Sequence, residues 1–173
     1  MKTSVKQQSG KESMTKVKKI AISGLVIAIY VTVVFLTQSF SFGQYQIRIA
    51  TSIYAVAAIH PFLIVPLGIA NFLSNTLMGG LGLLDMIGGL IVGLLTAAGC
   101  YYLRKLNIFL VAIPILIIPT IMVPIWLSFI LNIPYLMLVL SVGIGQIIPS
   151  IAGVLLLRYL EKAYVEKQEN NYE

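Results

Sequence analysis

Residues 47–80 read IRIATSIYAVAAIHPFLIVPLGIANFLSNTLMGG, and the number of times this stretch crosses a membrane decides the fold. As one α-helix it would extend roughly 50 Å at 1.5 Å per residue, too long for one crossing and short for two. The basic residues on either side settle the count. A single crossing puts Arg104 and Lys105, and the cluster of Arg158 and Lys162, on the side opposite the lysine-rich N-terminus. Two crossings, with a turn from His60-Pro61 to Pro66, put all three basic clusters on one side. Lysine and arginine concentrate in cytoplasmic loops, so two crossings are expected.

Working outward, four further apolar spans are plain: residues 20–38, 84–103, 108–131 and 135–157. Each meets the length of about 20 residues, or ~17 at least, that a spanning helix needs. Pro114, Pro119 and Pro124 punctuate the fifth span and are expected to kink it. The sequence thus predicts an all-α, polytopic integral membrane protein with six transmembrane helices, the second and third short or tilted. Both termini are expected in the cytoplasm and the protein in the cell membrane. Residues 1–19 read as a basic tail, residues 20–160 as the membrane domain and residues 161–173 as a polar tail. The apolar run of residues 20–36 is longer than the 7–15 residues of a signal peptide core, so it reads as a retained span. Met14 opens MTKVKK, so residues 1–13 read as a dispensable tail.

Composition agrees. Mean hydropathy is +0.95, and charged residues make up 10%, against about 25% in soluble proteins. The net charge of +6 does not point to nucleic acid. Its excess lies in Lys2, Lys6, Lys11, Lys16, Lys18 and Lys19, beside an apolar span, where it suits an anionic leaflet. Cys100 is the only cysteine, which excludes an intramolecular disulfide or a cysteine-rich metal cluster and suits a small packing residue. The membrane region holds one histidine, one cysteine and one acid, with neither HExxH nor a Walker sequence. No catalytic constellation emerges, no enzyme is predicted, and no cofactor is expected. The runs GGLG at 79–82 and GGLIVG at 88–93 are not phosphate loops, since they lack the lysine and follow no strand.

Between Ile20 and Leu157 the chain carries only four charges: Arg48, Asp85, Arg104 and Lys105. The last two form a basic loop. Arg48 and Asp85 fall near the outer surface, with Trp126, Asn132 and Tyr135, against the charge bias. An ionisable group at membrane depth costs ~2.5–3.5 kcal/mol on insertion scales, so both need a reason. Either they neutralise each other across the second and fourth helices, or they face a substrate cavity open to the outside. Asn71 and Asn75, spaced i, i+4, share one helix face, as interhelical glue or as readers of a heterocycle edge. Gln44, Gln46 and Gln146 are weaker candidates. Trp126, Tyr45 and Tyr135 suit an interfacial belt or a stacking role, and His60 reads as a loop residue. Ala21, Gly24 and Ala28 form a small-residue face on the first helix, for a partner helix or for internal packing.

The size, the small face and the outward polar cluster resemble the substrate-binding S-component of an energy-coupling factor (ECF) transporter. Within that class the chain is most similar to the queuosine-precursor transporter (QueT) family. The matching stretches are FGQYQIRI at 42–49, GIANFLSN at 68–75 and GLGLLDMIGG at 80–89. The resemblance implies a transmembrane T-component and two cytosolic ATPases as partners, with the Ala21–Gly24–Ala28 face as the docking surface. It implies a 7-deazaguanine ligand such as queuine, held on the outer side by Arg48, Asp85, Asn71, Asn75, Gln44, Trp126, Tyr135 and Gln146. The family usually carries Ser-Glu-Ala-Leu or similar after the arginine. Here Ala50-Thr51-Ser52-Ile53 has no acid, which implies a related but different ligand if that glutamate reads it. An S-component for another vitamin or heterocycle, a solitary transporter and a non-transporting scaffold are the alternatives.

Overall fold

The structure, a computed structural model, describes residues 14–42, 46–79 and 81–169, and among them every regular element is helical. Helix α1 runs Lys16–Leu36, capped by the Thr15 hydroxyl, which accepts the Lys18 N–H at 3.3 Å. A single turn, α2 (Gln38–Ser41), follows. A 3-10 helix spans Ile49–Ala58. Helix α3 (Ile64–Ser74) is led by a 3-10 turn at Pro61–Leu63 and ends in a π-helical turn at Asn75–Gly79. Helices α4 (Leu83–Arg104), α5 (Ala112–Leu131, led by a 3-10 turn at Ile108–Val111) and α6 (Tyr135–Glu169) complete the bundle.

Five helices are long and apolar enough to cross a membrane, and the 3-10 helix Ile49–Ala58 is a shorter apolar element beside them. Their outer faces suit lipid. In α5, Ile113, Ile117, Ile121 and Ile125 are spaced i, i+4 and all exposed, which water would disfavour. Where the sequence suggests six crossings, the structure has these five helices and, in place of a full second span, the shorter apolar 3-10 helix. Ten residues of 3-10 helix extend ~20 Å at about 2.0 Å per residue. An α-helix of that length would reach only ~15 Å. The tighter winding gives extra reach to a segment with few residues to spare. Its buried side is mostly small, with Ala50, Thr51, Ser52, Ala55 and Ala57 around the one large side chain of Tyr54, and it packs against α4 and α6.

Three boundaries differ from those the sequence suggests. Helix α1 begins at Lys16, inside the expected tail, because Thr15 caps it there. The turn between the expected second and third crossings is confined to Ile59 and His60. Pro66 lies within the first turn of α3, where the N–H that proline lacks has no helical partner anyway. Helix α6 continues through the expected polar tail to Glu169.

Short connections make successive elements antiparallel. One end of the bundle gathers Gly79, the Leu81-Gly82 approach to α4, the 132–134 turn and the approach to Arg48. The other gathers the described termini, the His60 turn and the 105–107 turn. The His60 Nε2 and the Tyr164 hydroxyl, 2.8 Å apart, tie this second end together. The core between the ends includes Tyr30, Tyr54, Leu63, Leu67, Ile115 and Leu157, all fully buried. The hydroxyls of Tyr30 and Tyr54 satisfy each other at 2.9 Å.

Candidate functional site

Arg48 precedes the 3-10 helix and turns its guanidinium towards α3. There the i, i+4 spacing of Asn71 and Asn75 presents two carboxamides side by side. Arg48 donates from Nη1 to Asn71 Oδ1 and from Nη2 to Asn75 Oδ1, each at 2.7 Å. The carboxamides are themselves fixed. Asn71 Nδ2 donates to the Gly89 carbonyl at 2.7 Å, and Asn75 Nδ2 to the Asp85 carbonyl at 2.9 Å. The π-helical turn begins at Asn75, and such bulges commonly re-aim side chains at functional sites. Phe42 lies against the cation, with its ring centroid 4.8 Å from the guanidinium carbon.

Asp85 stands in the first turn of α4, following Gly82, whose φ of 86° is a left-handed conformation that glycine adopts without strain. The carboxylate is 5% exposed. Its Oδ1 accepts the Trp126 indole N–H at 3.0 Å. Its Oδ2 is buried and has no hydrogen-bond partner among the described residues. No ion pair joins it to Arg48; the pairs among the described residues are Arg104–Glu161 and Lys162–Glu166. The buried Asp85 and the half-buried Arg48 are thus linked through Asn75, which takes a hydrogen bond from the guanidinium and gives one to the Asp85 backbone. Direct neutralisation is not formed.

Opposite Arg48, the Thr51 hydroxyl donates to the Arg48 carbonyl at 2.7 Å and lies 3.1 Å from Gln146 Oε1. The Gln146 carboxamide N–H reaches the Gln46 carbonyl at 3.5 Å. Gln46 has φ 44°, a left-handed conformation uncommon for a residue with a Cβ and frequent at ligand sites. Phe42, Gln46, Arg48, Asn71, Asn75, Asp85, Trp126 and Gln146 all border one cavity of about 30 Å³, closed on its deeper side by Val92 and Pro119.

The glycines of α4 make this arrangement possible. A Cβ on Gly89 would stand 2.5 Å from Asn75 Nδ2, and one on Gly88 would stand 2.7 Å from the Trp126 ring. Both distances are shorter than contact allows. The GGLIVG run that is not a phosphate loop is therefore the recess into which the asparagine and the indole fit.

Of the residues singled out in the sequence, Arg48, Asp85, Asn71, Asn75, Trp126 and Gln146 converge. Trp126 borders the cavity and donates its indole N–H to Asp85. Tyr135 does not join them: it is exposed, and its hydroxyl donates to the Ile121 carbonyl at 3.0 Å, linking α6 to α5. Asn132 caps α5 in the left-handed conformation that asparagine tolerates. Gln44 and Tyr45 lie outside the described residues. Phe42, Thr51, Gly88 and Gly89 were missed as site residues. The glycines carried a signal, since glycine pairs within a span mark close approach. At the first helix Ala21, Gly24 and Ala28 are all exposed, and nothing lies within 4 Å of where a Gly24 Cβ would stand, so that face is not used for packing within the chain.

The same bundle is recognised at the level of the whole sequence: a family model described as QueT transporter matches residues 20–162. The chain belongs to the QueT transporter family. Comparison with curated proteins and with solved structures gives no match. The QueT match covers the described residues of the cluster, from Phe42 through Gln146. A transporter family and apolar helices fit a membrane protein with a small-molecule substrate. Chemically, the recess offers a carboxylate oxygen to an N–H donor and the remaining guanidinium N–H groups to a carbonyl acceptor.

Proposed function

We propose that this chain is the substrate-capture component of an ATP-driven ECF uptake transporter and binds a 7-deazaguanine, such as queuine, on the extracellular side. The observation that carries the reading is the buried Asp85 Oδ2, unpartnered beside an arginine that two carboxamides hold away from it. A buried carboxylate without full hydrogen bonding is costly, and a ligand N–H removes that cost on binding. The purine-like edge of a 7-deazaguanine has N–H donors for Asp85 and a carbonyl for Arg48. Sidedness rests on the basic clusters at the opposite end of the bundle, which favour the cytoplasm. Capture at the outer end would then be followed by release inward through a T-component docked on the exposed Ala21–Gly24–Ala28 face, driven by two cytosolic ATPases.

The test is titration calorimetry of queuine on wild type and Asp85→Asn. A charge-assisted hydrogen bond contributes about 1.5–3 kcal/mol, so the variant should bind at least ~10-fold more weakly. Unchanged affinity would remove Asp85 from the site. In parallel, Gly24→Leu should keep binding yet fail to co-purify with a T-component, because bulk on a small face holds helices apart.

A further inference from the structure

Helix α1 contributes none of the described residues that border the polar cavity. It is also the least covered of the five long helices: of its 21 residues only Tyr30 and Val34 are buried. Val34 is apolar, and its burial is ordinary packing. Tyr30 is different. It carries a hydroxyl into the centre of the bundle, where it meets the Tyr54 hydroxyl at 2.9 Å, with the ring centroids 5.6 Å apart. A buried hydroxyl costs free energy unless it is hydrogen-bonded, and phenylalanine would fill nearly the same space without that cost. Two tyrosines here do something that two phenylalanines would not.

The pair stands behind the Arg48 cluster. At Gly93 of α4 a Cβ would lie 3.2 Å from the Tyr54 hydroxyl, 3.3 Å from the Asn71 Cβ and 3.0 Å from the Gly68 α-carbon. The Tyr54 hydroxyl, the root of the Asn71 side chain and the α4 backbone thus meet at one point. Asn71 is the residue whose Oδ1 takes the Arg48 Nη1 N–H at 2.7 Å. Arg48 is also near enough to act electrostatically on both tyrosine hydroxyls. The bond between those hydroxyls uses one hydrogen and leaves oxygen lone pairs, which a neighbouring guanidinium favours.

We infer that Tyr30 and Tyr54 are positioning residues for the recess: they back Asn71 and Arg48 from behind, and they make α1, which borders no part of the cavity, part of what holds the site in shape. The inference rests on ligand capture in the recess as proposed above. A displacement of α1 is thereby felt at Arg48, and by linkage a ligand held by Arg48 is felt at α1.

Tyr30→Phe and Tyr54→Phe each keep the ring and remove the hydroxyl, whereas Val34→Ala loosens the same helix without altering a polar group. Queuine calorimetry should show affinity about 3-fold to 10-fold weaker in each tyrosine variant, the loss expected for one hydrogen bond. Val34→Ala should melt at a lower temperature in detergent yet bind within about 2-fold of wild type. Tyr30→Phe/Tyr54→Phe should lose no more than either single variant, because removing both partners strands no hydroxyl. A readout without ligand accompanies these. Trp126 is the only tryptophan of the chain and borders the cavity, so its emission reports on the recess. Emission should move to longer wavelength in the two single tyrosine variants, as the loosened recess admits water, and stay in place in Val34→Ala. Unchanged affinity and emission in the tyrosine variants, or the same changes in Val34→Ala, would overturn the positioning role and leave deazaguanine capture standing. If wild type binds no queuine, deazaguanine capture falls, and Trp126 emission still upholds or overturns the positioning role.

Discussion

Two arginines at opposite ends of the bundle are held in opposite ways. Arg104, at the end of α4, donates from Nε to Glu161 Oε1 at 2.6 Å and pairs with the same carboxylate through Nη2. The pair is about one-third exposed on both sides. Arg48 has a carboxylate in the same cavity lining and does not pair with it. Two asparagines take its N–H groups instead. A charge whose task is to join two helices can be neutralised on the spot. At Arg48 neutral carboxamides fix the geometry of the charge without cancelling it, which suits the ligand-reading role proposed above. The protein accepts an incompletely satisfied carboxylate at one end and leaves none of that kind in the pair at the other.

The sharpest way to break this comparison is to remove the Arg48 charge. Arg48→Gln removes two charge-assisted hydrogen bonds, each contributing about 1.5–3 kcal/mol, and strands the Asn71 and Asn75 carbonyls. Queuine binding should fall more than ~100-fold, and thermal stability in detergent should drop. If the two charges served only to balance one another, Arg48→Gln/Asp85→Asn would recover most of the binding. Recovery is not expected, because each side chain faces the cavity on its own. Calorimetry and a melting curve on the single and double variants complete the cycle.

Gly89→Ala asks whether the carboxamide positions matter as much as the charges. The added methyl overlaps Asn75 Nδ2, so the asparagine must move and Arg48 with it. Overpacking of this kind costs about 1–3 kcal/mol. Binding should weaken by ~5-fold to ~100-fold with both charges still present. Unaltered affinity would show that Asn75 is not the element that sets Arg48.

At the other end the expected effects are small. Glu161→Gln should lower stability by less than about 1 kcal/mol, since a partly exposed pair is largely screened, and should leave queuine affinity unchanged. A large binding loss there would erase the distinction between the two arginines. Smallest of all is a pH effect at His60. Partial burial lowers the imidazole below its ordinary value of 6.5, so the unfolded chain takes up the proton first. Its contribution to stability is therefore complete above about pH 6.5 and declines as pH falls through that range. The melting temperature of wild type should drop slightly more than that of His60→Gln between pH 7.5 and 5.5, and equal drops would assign the effect elsewhere.

Much of this was readable before any contact was known. Charge asymmetry alone favoured two crossings over one in residues 47–80, where the structure has one helix long enough to cross, Pro61–Gly79, and the shorter apolar Ile49–Ala58. Scarcity of charge between Ile20 and Leu157 picked out Arg48 and Asp85 by itself. The i, i+4 spacing put Asn71 and Asn75 on one face. What periodicity could not give was the partner of each group. Nothing local distinguishes an arginine that meets Asp85 from one that meets two asparagines, since those contacts span 23 and 27 residues of sequence. Tyr135 sits near the right end of the bundle but outside the recess, a difference set by how α6 is rotated against α5.

The sequence by itself determined the all-α, polytopic membrane class, because that follows from transfer energies that add along the chain. The tertiary structure alone decided that residues 49–58 are wound as a 3-10 helix. It also decided that Gly88 and Gly89 make room for Trp126 and Asn75, and that Asp85 keeps one oxygen without a partner among the described residues. Those outcomes depend on how closely helices approach and how they are rotated, quantities set by packing among distant segments and written in no single stretch of residues.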